Sequence, residues 1–161
     1  MDATRVYTTE KIARILGLPE WRVVRFAQVP AYGIKPTLGE AAGPGSRRLY
    51  SLEDVCEIAL GWWLVQAGLR AKVIGHVLKQ VRKLGGLSRH LDRDLPEAFN
   101  TYMAIVRKQK GKTTAQDVYI RDWQTLGDIL KKDLFSSALI IDLGPRFQLM
   151  GRSTTLGLIG D

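Results

Sequence analysis

Residues 46–55 read Ser46-Arg47-Arg48-Leu49-Tyr50-Ser51-Leu52-Glu53-Asp54-Val55. The first half alternates as a short basic strand would. The second half carries a helix-start signal. A serine three residues before an acid can accept the amide of that acid, while the carboxylate reaches back to the serine amide. A strand that runs straight into a capped helix is thus expected here. The apolar stretch behind it predicts a helix over 52–67, with Val55, Ile58, Ala59, Trp62 and Val65 on one stripe and Gly68 at its end. A further helix is expected from Ala71 to Leu84, ended by Gly85-Gly86. Its apolar positions are Val73, Ile74, Val77, Leu78 and Val81.

Upstream, Thr8 or Thr9 can cap a short helix, Glu10–Leu16, ended by Gly17. Pro19 and Glu20 open a second helix to about Gln28, since proline is tolerated where the first-turn amides have no helical partner. Pro30, Gly33, Pro36, Gly39, Gly43, Pro44 and Gly45 exclude regular helix over 30–45 and make it a long loop.

Charge singles out the same part of the chain. The 161 residues carry 24 Lys+Arg and 16 Asp+Glu, for a net charge of +8. Residues 11–50 hold Lys11, Arg14, Arg22, Arg25, Lys35, Arg47 and Arg48 against Glu20 and Glu40. Residues 51–78 hold slightly more acid than base. Such a balance favours a polyanion as partner, nucleic acid first. Two later basic clusters, 79–93 and 107–112, read as solvated helix ends and a polar loop.

Helix, tight turn, helix, loop, basic strand and two more helices make the layout of a winged helix-turn-helix. On the second helix Arg22 and Arg25 are three residues apart and share a face, with Gln28 three further on. Arginine and glutamine both make bidentate contacts to base edges. Val23, Val24 and Ala27 are expected to bury. Arg47 and Arg48, with Tyr50 beyond, offer a second hold on phosphate or minor groove.

Residues 6–81 resemble the DNA-binding domain of the MerR transcriptional regulators. The family's opening helix, I-x-E-x-A-x-x-x-G-V, is matched in form by Thr9-Glu10-Lys11-Ile12-Ala13-Arg14-Ile15-Leu16-Gly17-Leu18. Its T-I-R-Y-Y stands where this chain has Val23-Val24-Arg25-Phe26-Ala27. Gly33-Ile34-Lys35-Pro36 echoes G-L-x-x-P, and Arg48 to Val55 follows R-x-Y-S-x-x-D-V. Gly68 to Ile74 echoes G-F-S-L-x-E-I. The resemblance implies that Arg25 and Arg48 touch DNA, that Tyr50 fixes the wing, and that the 70–72 turn sits near phosphate. The expected DNA-contact set is Arg14, Arg22, Arg25, Phe26, Gln28, Arg47, Arg48, Tyr50, Arg70 and Lys72.

The chain also departs from the family. One extra residue separates Gly17 from Arg25. The 26–47 loop is long, with Gly-Pro-Gly at its tip. One aromatic of the pair is Ala27. The family's long dimerisation helix is not evident in the sequence after Gly85-Gly86.

Residues 87–161 resemble no family. A helix is expected over 94–108 (Ala98, Phe99, Tyr102, Ile105 and Val106 inward) and a strand over 117–121. Asp122 caps another helix with Trp123, Leu126, Ile129, Leu130 and Leu134 inward. Strands follow at 137–143 and 147–150. The fold expectation is therefore mainly α: a winged helix-turn-helix over 1–86 and a small α+β section over 87–161 that dimerises, senses an effector or docks a partner.

Other chemistries find little support. The single cysteine, Cys56, excludes an internal disulfide and a multi-thiolate metal site. His76 and His90 lack partners at ligand spacing. There is no phosphate-binding Gly-rich loop, and Asp117, Asp122, Asp128 and Asp133 fall in caps and on helix surfaces. Trp62 and Trp63 are adjacent, so they face different ways, and one is expected in the core. The longest apolar run, 58–69, is too short to span a bilayer. No enzyme activity, metal or cofactor is expected. The expected function is a sequence-specific transcriptional regulator that binds an inverted repeat of double-stranded DNA as a homodimer, in the bacterial cytoplasm on the nucleoid. The alternative is a DNA-associated adaptor, antitoxin-like, phage-derived or chromosomal, whose section 87–161 docks a partner protein.

Overall fold

The computed structural model describes residues 6–39, 47–87, 102–110, 113–132 and 137–143. Among them are five helices and two small antiparallel sheets, an α+β composition with which the mainly α expectation is only roughly compatible. Contacts divide the chain into two compact units, 1–89 together with 156–161, and 90–155.

The first unit opens with β1 (Tyr7–Thr8) and α1 (Thr9–Leu16). The Thr8 hydroxyl oxygen accepts the Lys11 amide at 3.3 Å and caps α1. Gly17, at φ 62°, turns the chain out of it. Then comes α2 (Glu20–Gln28), led by Pro19 and packed on α1. The following loop is pinned rather than loose, because Tyr32 and Ile34 are buried in the core.

The basic segment is shorter as a strand than expected. Only β2 (Leu49–Tyr50) is extended, and its partner is β1, with Tyr7 opposite Tyr50 and Thr8 opposite Leu49. Leu49 also bridges Gly39. The Gly-Pro-Gly tip lies outside the described residues.

Ser51 caps α3 (Leu52–Gln66), and the capping box with Asp54 is complete. The single apolar stripe expected for α3 is not what forms. Every residue from Asp54 to Gly61, and Leu64, is buried, so the helix is wrapped on all sides. Trp62, Trp63 and Val65 are only half-buried. Neither tryptophan is a full core residue. The next helix, α4 (Ala71–Lys83), packs on α3 through Ile74, Val77, Leu78 and Val81.

The second unit corrects the expected helix over 94–108. Residues 102–110 form β3 (Tyr102–Lys110), the central strand of a sheet ordered β4-β3-β5. Residues 94–101 lie outside the described residues. Both neighbours are antiparallel: β4 (Thr113–Arg121) pairs Tyr102 with Arg121 and Lys110 with Thr113, and β5 (Ser137–Asp142) pairs Tyr102 with Asp142. The difference has a physical cause. Met103, Ala104, Ile105 and Val106 are all buried, as a central strand covered on both faces requires. Such a continuous apolar run has no period of two to betray it. Pairing also draws 107–110 into β3, so this basic segment is not a loop.

Between β4 and β5 lies α5 (Trp123–Lys132), capped by Asp122, which accepts the Thr125 amide at 2.9 Å. Leu126 packs with Ala104 and Val106, flanked by Tyr102, Tyr119 and Leu130. The strand expected at 147–150 lies outside the described residues. No described helix is long and apolar enough to cross a membrane.

Candidate nucleic-acid interface

The phase of α2 is set by its buried side. Val23 is fully buried and Phe26 is 4% exposed. The Phe26 ring lies against Gly61 of α3, where a β-carbon would come within 2.8 Å of it, and tilts against Tyr32 at 4.7 Å between centroids. A β-carbon at 61 would force the Phe26 ring to shift. With that side fixed, the solvent side carries Trp21, Val24, Arg25 and Gln28, at i, i+3, i+4 and i+7.

This corrects the expected face in two respects. Val24 belongs to the outward stripe and is half-buried, not a core residue. Arg22 stands at the border of the stripe. Its guanidinium carbon lies over two indoles, 4.7 Å from the Trp21 centroid and 4.5 Å from the Trp62 centroid. Such contacts hold a guanidinium by the quadrupole of each ring. Trp21, 56% exposed, was not foreseen as part of the face. Its signal was available: Val23 and Phe26 are three apart and bury together, which leaves Trp21 outward.

Two recesses flank α2. One, of about 180 Å³, is lined by Trp21, Arg22, Arg25, Phe26, Tyr32, Trp62 and Val65, with no acid among them. The other, of about 260 Å³, is lined by Thr8, Thr9, Glu10, Glu20, Val24, Arg47 and Arg48. The expected arginines are thus brought to opposite flanks of one helix. Arg47 is exposed and Arg48 half-buried.

The remaining expected residues are dispersed. Phe26 and Tyr50 are buried and act as supports, not as groups offered to a solute. The Tyr50 phenol is pushed up by burial, with the neighbouring Thr9 side chain and the Arg48 charge holding it back. Arg14 is exposed and pairs with Glu10 at 3.0 Å, one turn away on α1. Arg70 and Lys72 are exposed at the start of α4 and line neither recess.

Carboxylates at the start of α3 fasten the surroundings. Asp54 Oδ2 accepts the Ser51 amide at 2.8 Å, the Thr37 amide at 3.1 Å and the Thr37 hydroxyl at 2.6 Å. Glu53 accepts the Leu87 amide at 2.8 Å. Glu57 pairs with Arg82, which also donates to the Gly33 carbonyl at 3.0 Å. The loop before β2, the end of α4 and the turn at Gly33 are therefore tied to one helix. Cys56 is wholly buried, and burial pushes its thiol far up, so it stays protonated and unreactive. Among the described residues no cluster of three or more His, Cys, Asp or Glu is placed to hold a metal ion.

An α+β chain with an outward helix face bordered by arginines on both flanks is what fold and site define. No family model matches the chain, and no curated protein matches it in sequence.

Proposed function

We propose that this chain is a sequence-specific DNA-binding transcriptional regulator of winged helix-turn-helix type, similar to the MerR regulators, and that it binds an inverted-repeat site as a homodimer. One observation carries the reading: the outward stripe Trp21, Val24, Arg25 and Gln28 lies between the Arg22 recess and the Arg47–Arg48 recess. A helix that enters a major groove presents such a stripe to base edges and its two flanks to the phosphodiester walls. In this reading residues 47–50 form the base of the wing. The protein acts by binding, in the bacterial cytoplasm on the nucleoid, without a catalytic step or a cofactor.

The test is selection of duplexes from a random pool, followed by fluorescence anisotropy. Tight, salt-weakened binding to the selected site is expected, with clear preference over random duplex. Equal affinity for both sinks the specific regulator.

A second reading has one observation behind it. Ile140 of β5 is 38% exposed, on a strand with β3 on one side only among the described residues. An apolar sheet edge can take a second copy or another protein. As a homodimer edge it completes the regulator. As a docking strand for a different protein it makes the chain an adaptor. Sedimentation of the full chain separates the two, since only the first gives a dimer on its own.

A further inference from the structure

We propose that the recess beside Trp62 is a phosphodiester clamp and that Arg22 grips a DNA phosphate there instead of reading a base; this rests on the DNA-binding reading above. Arg22 has its guanidinium carbon within 5 Å of two ring centroids. A group held over two rings cannot also extend to the floor of a groove. Ring contacts engage the face of the guanidinium and leave its N–H edge available, and that edge matches the geometry of a phosphate. Arg25 borders the same recess, and no acid is among the lining residues. Neither arginine makes a side-chain hydrogen bond or ion pair within the described residues. The clamp site is at the flank of α2, where a phosphodiester wall lies when the stripe of Trp21 and Gln28 faces the bases.

The Arg47–Arg48 recess also holds Glu10 and Glu20, so the acid-free Arg22 recess is the stronger anion site of the two. The carboxylates of α3 are already engaged by backbone amides and Arg82. Cys56 has no access to solvent.

The experiment uses the full chain and four variants, Arg22→Ala, Arg22→Lys, Trp62→Phe and Trp62→Leu, with a selected duplex and a random duplex across a salt series. Arg22→Ala should weaken both duplexes by the same factor and reduce the log–log salt slope by about 0.9. Trp62→Leu keeps the charge but unpins it. Its affinity should fall ~3- to 30-fold on both duplexes, with the slope retained. Trp62→Phe should restore most of that loss, and Arg22→Lys should keep the slope while losing affinity. A single methylphosphonate placed along the site should locate the clamp. One position should weaken the wild type and leave Arg22→Ala unaffected. If Arg22→Ala instead changes the preference among sequences, Arg22 reads bases and the clamp is wrong. If it changes neither affinity nor slope, the recess does not meet DNA. A wild-type chain that binds no duplex overturns both the clamp and the DNA-binding reading, whereas a clamp failure with binding intact overturns only the clamp.

Discussion

The Glu57 carboxylate receives two hydrogen bonds from the Arg82 guanidinium, one from Nε and one from Nη2, and so ties α3 to α4 by a two-point ion pair. Glu57 is buried and Arg82 is 38% exposed. Burial pushes the Glu57 carboxyl above its usual value, although Arg82 pulls it back. A raised carboxylate makes the folded state hold its proton more tightly. Its contribution to stability therefore declines as pH rises from about 4.5 through the folded value. Arg82→Ala should leave a buried carboxylate unpaired. The cost should be ~2–3 kcal/mol near pH 7, less than for a fully buried pair because water screens Arg82. The cost should shrink toward pH 4 as Glu57 takes up a proton. Urea unfolding at several pH values checks this. A pH-independent cost would mean that lost packing of Arg82, not charge, dominates.

Asp54 is the second fastening. Asp54→Ala removes the acceptor of two backbone amides and one hydroxyl. Loss of the cap and of the Thr37 tether should cost about 2–4 kcal/mol by urea melts. Asp54→Asn keeps an acceptor oxygen and should cost clearly less.

Two helical glycines should respond in opposite directions. A β-carbon at Gly75 would sit 1.8 Å from the Ala31 carbonyl oxygen. The neighbour is backbone, so Gly75→Ala should destabilise by ~2–3 kcal/mol through forced displacement of the loop from α4. At Gly127 nothing lies within 4 Å. Gly127→Ala should add about 0.5–1 kcal/mol from helix propensity alone. Thermal melts of the pair test the packing of both units.

Base reading should map to the outward stripe of α2. Arg25→Ala and Gln28→Ala should each reduce discrimination among sequences by about 1–3 kcal/mol where the contact is bidentate. Trp21→Ala should also alter sequence preference, because its ring lies on the same side. Arg47→Ala and Arg48→Ala should weaken all duplexes alike, as phosphate contacts do. The roles are reversed should the 47–48 variants alone change preference in competition binding.

Assembly should depend on the second unit. Ile140→Lys places a charge on the outer part of β5, where a twin strand would pair. The full-length variant should sediment as a monomer and bind the inverted repeat much more weakly than the wild type. An unchanged dimer would move the interface away from β5.

The local elements of the first unit were legible from the sequence because their signals are local. Thr8, Pro19, Ser51 and Gly17 act through atoms a few residues away; α1, α2 and α3 begin, and α1 ends, within a residue of the positions these residues mark. The cluster of Arg22, Arg25, Arg47 and Arg48 around one helix was also visible as charge. Its arrangement was not. Which side of α2 faces out depends on Phe26 finding Gly61, a contact 35 residues away in sequence. That choice puts Trp21 and Val24 outward and seats Arg22 over Trp62.

In the second unit the balance tips the other way. The run from Tyr102 to Val106 satisfies a helical stripe and a buried strand equally, because all its residues are apolar. Pairing with β4 and β5 alone makes it a strand. The sequence by itself determined the caps, the turns, the charge and the absence of any thiolate framework. Only the tertiary structure decided the face of α2, the burial of α3 on every side and the strand at 102–110. Side-chain caps act over one turn of chain. Burial depends on partners distant in sequence, which periodicity within a single segment does not specify.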